Sequence, residues 1–461
     1  MTLPINSKPQ CVPVLPNKDT ASQEPHTSKP FPPRVNEIIK DDPISPLHPI
    51  TLKRIHQVIG EREEAFFMLD RARLRRQVNL WYSHLPSVTP YYAVKCNPEP
   101  LILDELSRYG NGPGGVGFDC ASAAEFNAVL ETNRVDPSQI VYAHTIKVPH
   151  HIQRAREVGV SRMTVDSVEE MGKIARNYPG ARVILRIWVN DQDSRIPLGS
   201  KFGADEGEWK ELMETAIRYN LSFEGISFHV GSGCVSGKPF ERAITMARRA
   251  FELAWNLGLS PKLLDIGGGF PGEGLFGMGR GEKLAQFSEI TRVIRPSLAH
   301  HFPETLGVRV IAEPGQFLVS GACTLITRVL GRRLRYESDG PTMHYYLDDG
   351  ACGSFPTVME DELPCPPLHL KEASEGEGEE EKEGGQRRRI YASTLWGPTC
   401  TVEDLILERT PLPEMRAGEW MVWRSMGAYT NARATTFNGI PIPPYFSVDY
   451  HEGEDLGSVE D

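Results

Sequence analysis

Polar or reactive groups stand at the ends of several short β-rich stretches of the sequence. The stretch 90–95 ends on Lys95, and an amine at the end of a buried strand can form a Schiff base with a carbonyl compound. A lysine in this position is more often a surface group, so the neighbouring stretches have to decide its role. Eight such stretches end on, or next to, one of the following residues: Lys95, Asp119, His144, Asp166, Arg186, His229, Gly267 and Glu313.

Two glycine-rich segments at the ends of such stretches predict a phosphate site. Residues 265–270 read DIGGGF, and residues 229–234 read HVGSGC. Consecutive glycines let backbone N–H groups approach a phosphate closely, and the hydroxyl of Ser232 adds a further donor. The alternative is a pair of tight turns that bind no ligand.

Three further residues have two interpretations each. Glu313 can hold a pyridine nitrogen protonated, or it can be a structural carboxylate. His229 can stack on a ring or assist proton transfer, although a lone histidine is more often structural. Cys400, in the turn WGPTC, can donate a proton or can be a buried, inert thiol.

The stretches that carry these groups alternate with helical segments, as in an α/β fold. Eight strand–helix units over about 230 residues predict a (β/α)8 barrel, in which active groups lie at the carboxyl ends of the strands. A doubly wound sheet is the alternative, but only the strands near its switch point would carry such groups. The predicted strands are 90–95, 115–119, 139–144, 162–166, 182–187, 223–229, 262–267 and 309–313, and the predicted helices include 151–158, 168–178, 207–219 and 239–257.

The pattern changes after Glu313, where helical periodicity gives way to strand-like runs with turn signals. These runs indicate a C-terminal β-sandwich or β-barrel domain, which a short strand near the N-terminus is expected to join. We therefore expect the following division of the chain: a disordered arm over 1–48, the barrel over 49–322, the β domain over 323–447 with an acidic insertion at 361–389, and an acidic tail over 448–461.

Composition narrows the class of protein. The net charge is −11 at pH 7 and lies mostly in the insertion and the tail, so no basic nucleic-acid surface is expected. No apolar run approaches the roughly 18 residues of a membrane helix, and the N-terminus lacks the pattern of a secretory signal. The eight cysteines show no metal-ligand spacing, so we expect free thiols, no metal site and a cytoplasmic location.

Seven ordered motifs between about residues 50 and 447 resemble the eukaryotic ornithine decarboxylase family. They read PYYAVKCNP, GFDCASAAEF, FHVGSGC, DIGGGFPG, AEPG, WGPTC and MGAYT. The resemblance implies an amino-acid decarboxylase that depends on pyridoxal 5′-phosphate (PLP), with an alanine racemase-like barrel and a C-terminal β domain. It also implies a homodimer with shared active sites and a small-molecule amino-acid substrate.

The resemblance further implies a role for each matching residue. Lys95 is the Schiff-base lysine, supported by Asp119 and Glu125. Glu313 is the pyridinium partner, and the partner's Cys400 protonates the product carbanion. The other implied cofactor-binding residues are His229, which stacks on the ring, and Arg186, Ser232, Gly267, Gly268, Gly269, Gly315, Gln316 and Tyr429.

The chain departs from the family pattern at the phosphate and at the far end of the substrate. Gln316 stands where the family has an arginine that binds the phosphate, so weaker cofactor binding is expected. Thr401 replaces an aspartate that binds the distal amine of the substrate. Glu360 and Asp361 stand where the family has a Tyr-Asp pair, and with Thr401 they are the implied substrate-binding residues. Cys352 replaces a tyrosine in the wall of the site.

These departures leave the reactive groups intact, which is the pattern expected of a decarboxylase with a shifted substrate. We therefore expect an α-decarboxylase of ornithine or a related amino acid, giving an amine and CO2, with a specialised pathway such as alkaloid or other secondary-metabolite synthesis as one setting. Two alternatives stay open. One is an ornithine decarboxylase proper, which makes putrescine for polyamine synthesis, and the other is a non-catalytic, decarboxylase-like regulatory binding protein.

Overall fold

The computed structural model describes residues 47–110, 112, 114–273, 284–338, 340–360, 363–370 and 388–450. Most of the predicted arm, of the acidic insertion and of the acidic tail lies outside these residues. Within the described part, no helix combines the length and the apolar composition that crossing a membrane requires.

The described chain begins with two helices that flank one strand. They are helix α1 (Pro49–Glu61), strand β1 (Phe66–Asp70) and helix α2 (Arg71–His84). Asp70 caps α2, since its Oδ1 accepts the backbone N–H of Arg73 at 2.9 Å. The chain therefore turns sharply from the strand into the helix.

Eight parallel strands then close into a barrel, in which each strand pairs with the next along the chain and the last pairs with the first. Two short strands, β7 (Ser194–Ile196) and β9 (Ser232–Cys234), pair with each other outside it. This closed barrel confirms the predicted architecture and excludes the doubly wound sheet. The barrel strands are β2 (Val88–Ala93), β3 (Gly117–Cys120), β4 (Ile140–Tyr142), β5 (Arg162–Val165), β6 (Arg182–Arg186), β8 (Ser222–Ser227), β10 (Leu263–Asp265) and β11 (Arg309–Ala312).

Most barrel strands end before the reactive groups that were predicted as their last residues. Pairing of β2 with β3 stops at Ala93 and Asp119, and the Ala93 N–H then donates to the Pro314 carbonyl at 3.2 Å. Lys95 therefore lies in a 3₁₀ turn, and His229 likewise lies beyond the end of β8. A residue past the last strand pair is free of the sheet geometry, so its side chain can turn over the mouth of the barrel.

Helices surround the barrel and bury one face each. In the longest helix, Phe240, Ile244, Ala247, Phe251 and Ala254 are all buried, as their spacing predicted. The helices that follow α2 are α3 (Pro100–Ser107), α4 (Ala123–Leu130), α5 (Pro149–Val158), α6 (Val168–Asn177), α7 (Trp209–Arg218), α8 (Lys238–Asn256), α9 (Phe287–His301) and α10 (Gln316–Val319).

The C-terminal part of the chain forms a mixed sheet. Strand β1 also belongs to it, pairing antiparallel with β12 and parallel with β18. The chain thus enters the β-domain sheet before it builds the barrel and returns to that sheet at the end. The strands of this part are β12 (Cys323–Glu337), β13 (Gly340–Leu347), β14 (Leu368–His369), β15 (Ile390–Trp396), β16 (Leu405–Pro413), β17 (Trp420–Trp423) and β18 (Tyr445–Val448).

An aromatic cluster fixes two of the loops at the barrel mouth. The ring of Trp81 lies 4.9 Å from that of Phe270, and the ring of Phe287 lies 4.1 Å from that of Phe317. Trp81 and Phe287 also stack on each other at 5.4 Å. Phe270 follows the triple glycine directly and Phe317 follows Gln316, so the core packing sets the position of both loops.

Gly225 in β8 provides a test of the barrel packing. A Cβ at this position would overlap the backbone carbonyl of Leu263 in the neighbouring strand. We expect Gly225→Ala to lower the free energy of unfolding by roughly 1–3 kcal/mol, because the two strands must separate locally. Gly60→Ala in α1 is the matched control, since nothing lies within 4 Å of its Cβ. Thermal unfolding that is unchanged in Gly225→Ala would contradict this packing.

Candidate active site

Lys95 and Asp119 form an ion pair at the mouth of the barrel. Lys95 Nζ donates to Asp119 Oδ2, and the last pair of the β2–β3 ladder, Ala93 with Asp119, brings the two residues together. The Asp119 side chain is fully buried, whereas that of Lys95 is 41% exposed. The carboxylate therefore orients an amine that a small molecule can still reach.

The charges around Lys95 keep its amine protonated. Burial by itself lowers the pKa of Lys95, but the carboxylates of Asp119 and Glu313 outweigh burial and raise the pKa above its usual value. An ammonium group is not a nucleophile, so Lys95 must give up a proton before it can attack a carbonyl compound. The carboxylates beside it are the groups within reach of that proton.

Glu125 lies next to this pair because of the way α4 begins. Ser122 caps the helix by accepting the Glu125 N–H at 3.3 Å, and Glu125 Oε2 accepts the Ala121 N–H at 2.6 Å. This reciprocal arrangement is a capping box displaced by one residue. Burial raises the pKa of Glu125, and the charge of Lys95 acts in the opposite direction. Glu125 thus lies close enough to Lys95 and Asp119 to interact with both charges.

Two more carboxyl groups meet at the ends of β10 and β11. Asp265 is fully buried, and it shares a hydrogen bond with Glu313 that requires a proton on one of the two. Burial raises the pKa of Asp265 to about 7 and raises the pKa of Glu313 well above its usual value. The charge of Arg186, at the end of β6, lowers the pKa of Asp265 and so opposes the effect of burial. This pair can hold a proton at neutral pH.

His229 lies between the carboxyl pair and the glycine turn. Its Nδ1 accepts the Gly231 N–H at 3.1 Å, and a Cβ on Gly268 would lie 2.8 Å from its Nε2. Burial, with help from the charges of Arg186 and Lys95, lowers the pKa of His229 well below its usual value. The imidazole is therefore neutral and offers a flat face.

The triple glycine forms a turn that side chains could not enter. Gly267 and Gly269 have left-handed φ values of +66° and +102°. A Cβ at Gly267 would overlap the Phe228 carbonyl, and one at Gly269 would lie 2.7 Å from the Gly231 carbonyl oxygen. Both the conformation and the space thus require glycine at these two positions.

Ser232 and Gln316 complete one side of this turn. The Ser232 hydroxyl donates to Gln316 Oε1 at 3.4 Å, and Gln316 is the buried first residue of α10. Gly315 precedes it, and a Cβ there would lie 2.9 Å from that of Cys96. Gly315, next to Gln316, thus packs closely against Cys96, the residue after Lys95.

Tyr429 comes from the β domain and reaches the same place. Its N–H donates to the Cys96 carbonyl at 2.9 Å, and its φ of +55° is a left-handed value that is uncommon for a non-glycine residue. Burial raises the pKa of Tyr429, and the charges of Lys95 and Arg433 oppose that rise. The Tyr429 phenol thus lies close enough to Lys95 for the charge of Lys95 to act on it.

Cys400 is held elsewhere, on the surface of the β domain. It is exposed, and its N–H donates to Asn438 Oδ1 at 2.9 Å. Buried Asp404 fixes the same loop by accepting the Thr399 N–H at 2.8 Å and the Ala351 N–H at 2.6 Å. Among the described residues, no hydrogen bond joins the loop 398–401 to the barrel.

Among the described residues, Thr401 and Glu360 form no hydrogen bond with the groups around Lys95. Thr401 donates its hydroxyl to Glu403 at 3.3 Å. Glu360 forms a two-fold ion pair with Arg433, with distances of 2.9 and 2.5 Å. Asp361 lies outside the described residues. The carboxylate of Asp404 faces its own loop and so does not replace the aspartate that the family has at position 401.

Asp265 of the site and Arg433, the partner of Glu360, were not among the predicted residues. Asp265 carries a signal that could have found it, namely an ionisable residue at the end of the apolar run that precedes the glycines. Arg433 gives no such signal, because its partner Glu360 lies 73 residues away in the sequence.

Comparison with known proteins assigns the chain to a family. Residues 71–320 match the family model described as "Pyridoxal-dependent decarboxylase, pyridoxal binding domain". The chain belongs to this family. This decarboxylase is 39% identical to the ornithine decarboxylase of Rattus norvegicus over 407 residues, which cover 86% of the chain and 83% of the rat protein.

Two other relatives show the breadth of the pyridoxal-dependent decarboxylase family. One is antizyme inhibitor 2 of Xenopus laevis, 37% identical over 83% of this chain and 81% of the frog protein. The other is the arginine decarboxylase of Paramecium bursaria Chlorella virus, whose solved structure matches with a TM-score of 0.76 at 31% identity, covering 87% of this chain and 100% of the viral one. The predicted family, fold, enzyme class and cofactor are confirmed.

The geometry also fits PLP. The amine of Lys95 suits an aldehyde, the glycine turn leaves no room for side chains where an anion would bind, and the Glu313 carboxyl has a raised pKa suited to a ring nitrogen. The Asp119 Oδ1 atom is buried and has no hydrogen-bond partner among the described residues. This oxygen therefore retains the capacity to accept a hydrogen bond.

Substitution of Lys95 tests this arrangement. We expect Lys95→Ala to abolish the visible absorbance of a PLP Schiff base and the adduct that borohydride reduction would trap, because no other amine lies beside Asp119 in the described part. Lys262→Ala is the control, since Lys262 is exposed just before β10. Absorbance titration and mass spectrometry of the reduced protein provide the measurement. A trapped adduct in Lys95→Ala at the parental level would refute the role of Lys95.

Proposed function

We propose that this chain removes the α-carboxyl group of an amino acid of ornithine-like length, giving an amine and CO2. The observation that carries the proposal is the arrangement of an amine, a glycine turn and a proton-holding carboxyl pair around one barrel mouth. The similarity to an ornithine decarboxylase and to an arginine decarboxylase supports this class of substrate.

Each group at the barrel mouth has a distinct task in this proposal. PLP, when bound, supplies the electron sink that stabilises the carbanion left after CO2 departs. Lys95 holds the aldehyde carbon and Asp119 orients its amine. Glu313 would hold a proton for the pyridine nitrogen, and neutral His229 would offer a stacking face that adds no charge.

The phosphate is bound in this proposal mainly by neutral donors. These are the backbone N–H groups of Gly268 and Gly269, the hydroxyl of Ser232 and the phenol of Tyr429, whereas the Gly267 N–H donates to Asp265 Oδ1 at 2.9 Å and fixes the start of the turn. Gln316 can donate through its amide but adds no charge. Cofactor binding therefore depends on geometry more than on charge at this end.

A second copy of the chain completes the site in this proposal. The Cys400 loop is held to the β domain by Asp404 and Asn438, so its exposed thiol points to a partner rather than to its own Lys95. We assign to this thiol the protonation of the α-carbon. The cysteines in the described part are all free, which suits the reducing cytoplasm.

A non-catalytic binding protein is the second candidate. Gln316 favours it, because the phosphate loses a charged ligand, and so does the similarity to antizyme inhibitor 2. The intact set of Lys95, Asp119, Glu313 and Cys400 favours the enzyme. A specialised metabolic pathway is supported only by Thr401, which stands where the family has the aspartate that binds the distal amine.

A substrate screen separates these candidates. We expect the purified protein with PLP to release CO2 from at least one of ornithine, lysine, arginine, norvaline and glutamine. Coupled detection of CO2 provides the measurement, with the Lys95→Ala variant as the blank. If no PLP absorbance appears after reconstitution and no amino acid yields CO2, the binding protein is the better description.

Mixing two inactive variants tests the shared site. Lys95→Ala lacks the amine and Cys400→Ala lacks the thiol, but a mixed dimer retains one complete site. After unfolding and refolding an equal mixture, we expect about a quarter of the parental activity, since half of the dimers are mixed and each has one site of two. Activity no higher than that of the separate variants would contradict a site shared between subunits.

A further inference from the structure

Asn97, two residues past Lys95, joins the segment that carries the amine to the C-terminal part of the chain. The residue is fully buried, and both polar atoms of its carboxamide form hydrogen bonds. Nδ2 donates to the Gly427 carbonyl at 2.9 Å and to the Tyr445 hydroxyl at 3.0 Å, and Oδ1 accepts the Glu99 N–H at 3.1 Å. The two bonds from Nδ2 therefore reach segments 330 and 348 residues further along the sequence.

The backbone of Asn97 holds the local turn without help from the side chain. Its N–H donates to the Val94 carbonyl at 3.1 Å, and its carbonyl accepts the hydroxyl of buried Tyr92 at 2.8 Å. Any residue other than proline at this position can form both bonds. The carboxamide is therefore not needed to close the turn, and both bonds of its nitrogen lead to the C-terminal part of the chain.

The segment that receives the amide also packs against α10. The Gly427 N–H donates to the Ser320 carbonyl at 3.1 Å, and a Cβ on Gly427 would overlap the Val319 carbonyl. Val319 is the last residue of α10, the helix that begins at Gln316. Gly427 therefore fits closely against that helix, while its carbonyl is held by Asn97.

Hydrogen bonds from two consecutive residues hold the backbone on either side of Ala428. The Cys96 carbonyl accepts the Tyr429 N–H at 2.9 Å, and the Asn97 amide holds the carbonyl of Gly427. Tyr429 has a left-handed φ of +55°, a conformation that persists only where surrounding contacts determine it. The two bonds are contacts of that kind, so they help to set the direction of the Tyr429 phenol.

We infer that Asn97 is a positioning residue, which couples the lysine that would hold the aldehyde of PLP to the phenol that would hold its phosphate. The inference rests on the proposed function for the phosphate contact of Tyr429. Without the amide, Lys95 keeps its turn but the segment before Tyr429 loses one of its two bonds to that turn. Lys95 should then still form its Schiff base, while the protein holds PLP less tightly.

A double-mutant cycle on PLP affinity tests the inference without turnover. In absorbance titration of the protein with PLP, we expect Asn97→Ala to raise the dissociation constant at least about tenfold, because the Gly427 carbonyl loses its donor. Tyr429→Phe should also weaken binding. Adding Asn97→Ala to Tyr429→Phe should change the constant less than about threefold, because the phenol through which Asn97 acts is already absent. An equal effect of Asn97→Ala in both backgrounds, or parental binding by Asn97→Ala, would overturn the inference.

Two further variants separate this role from a structural one. Asn97→Asp keeps an oxygen for the Glu99 N–H but removes both amide donors, so parental PLP binding by Asn97→Asp would show that only the local turn matters. Gln139→Ala is the matched control. The buried carboxamide of Gln139 donates to the Gly110 and Val116 carbonyls at 2.9 and 3.3 Å, and the residue precedes β4 at the opposite end of the barrel. Gln139→Ala should lower thermal stability with PLP affinity unchanged, and an equal loss of affinity there would rule out a specific role for Asn97.

Tyr445→Phe covers the case in which Asn97→Ala does not fold. The phenylalanine keeps the ring that stacks on Phe67 and removes one acceptor of the Asn97 amide. We expect the PLP dissociation constant to rise about threefold or more, and an unchanged constant would contradict the coupling. Failure of the proposed function is distinguishable. Parental binding by Tyr429→Phe refutes the phosphate contact of that phenol, whereas weaker but additive binding refutes only the role of Asn97.

Discussion

The ion pair between Lys95 and Asp119 is the interaction on which the rest of the site depends. A fully buried carboxylate is stable only with a cation or several donors beside it, and removing its partner costs several kcal/mol. The barrel satisfies this need by ending the β2–β3 ladder at Asp119 and turning the next residues of the chain over the mouth. Glu125, Glu313 and Tyr429 lie close enough to this pair to interact with its charges.

The site is built from two kinds of support. The glycine turn and Gln316 are each followed by a phenylalanine of the aromatic cluster. Because that cluster is part of the close-packed core, it fixes the position of both. Tyr429 and Arg433 are positioned instead by the β domain, through a strained backbone and one hydrogen bond to Cys96. The barrel thus provides the chemistry, and the β domain contributes to the wall that a substrate meets.

The sequence predicted the barrel because alternation of strands and helices is a local pattern. It also predicted Lys95, Asp119 and Glu313 at strand ends, and the structure places Asp119 within β3 and the other two just past β2 and β11. It misplaced the ends of the strands, since the last ladder pair is decided by the neighbouring strand. It could not predict that Asp404 would hold its own loop or that Glu360 would pair with Arg433. Those contacts join segments whose proximity exists only in the folded chain.

The pairing of β1 with β18 has a consequence for the order in which this protein matures. Strand β1 can pair with β18 only after that last strand has been made. The ring of Tyr445 in β18 stacks on the ring of Phe67, with the ring centres 4.5 Å apart. The Tyr445 hydroxyl also accepts a hydrogen bond from Asn97 Nδ2 at 3.0 Å, and Asn97 lies two residues past Lys95. A ribosome must therefore release nearly the whole polypeptide before the sheet can close, which leaves β1 with an unpaired edge throughout synthesis.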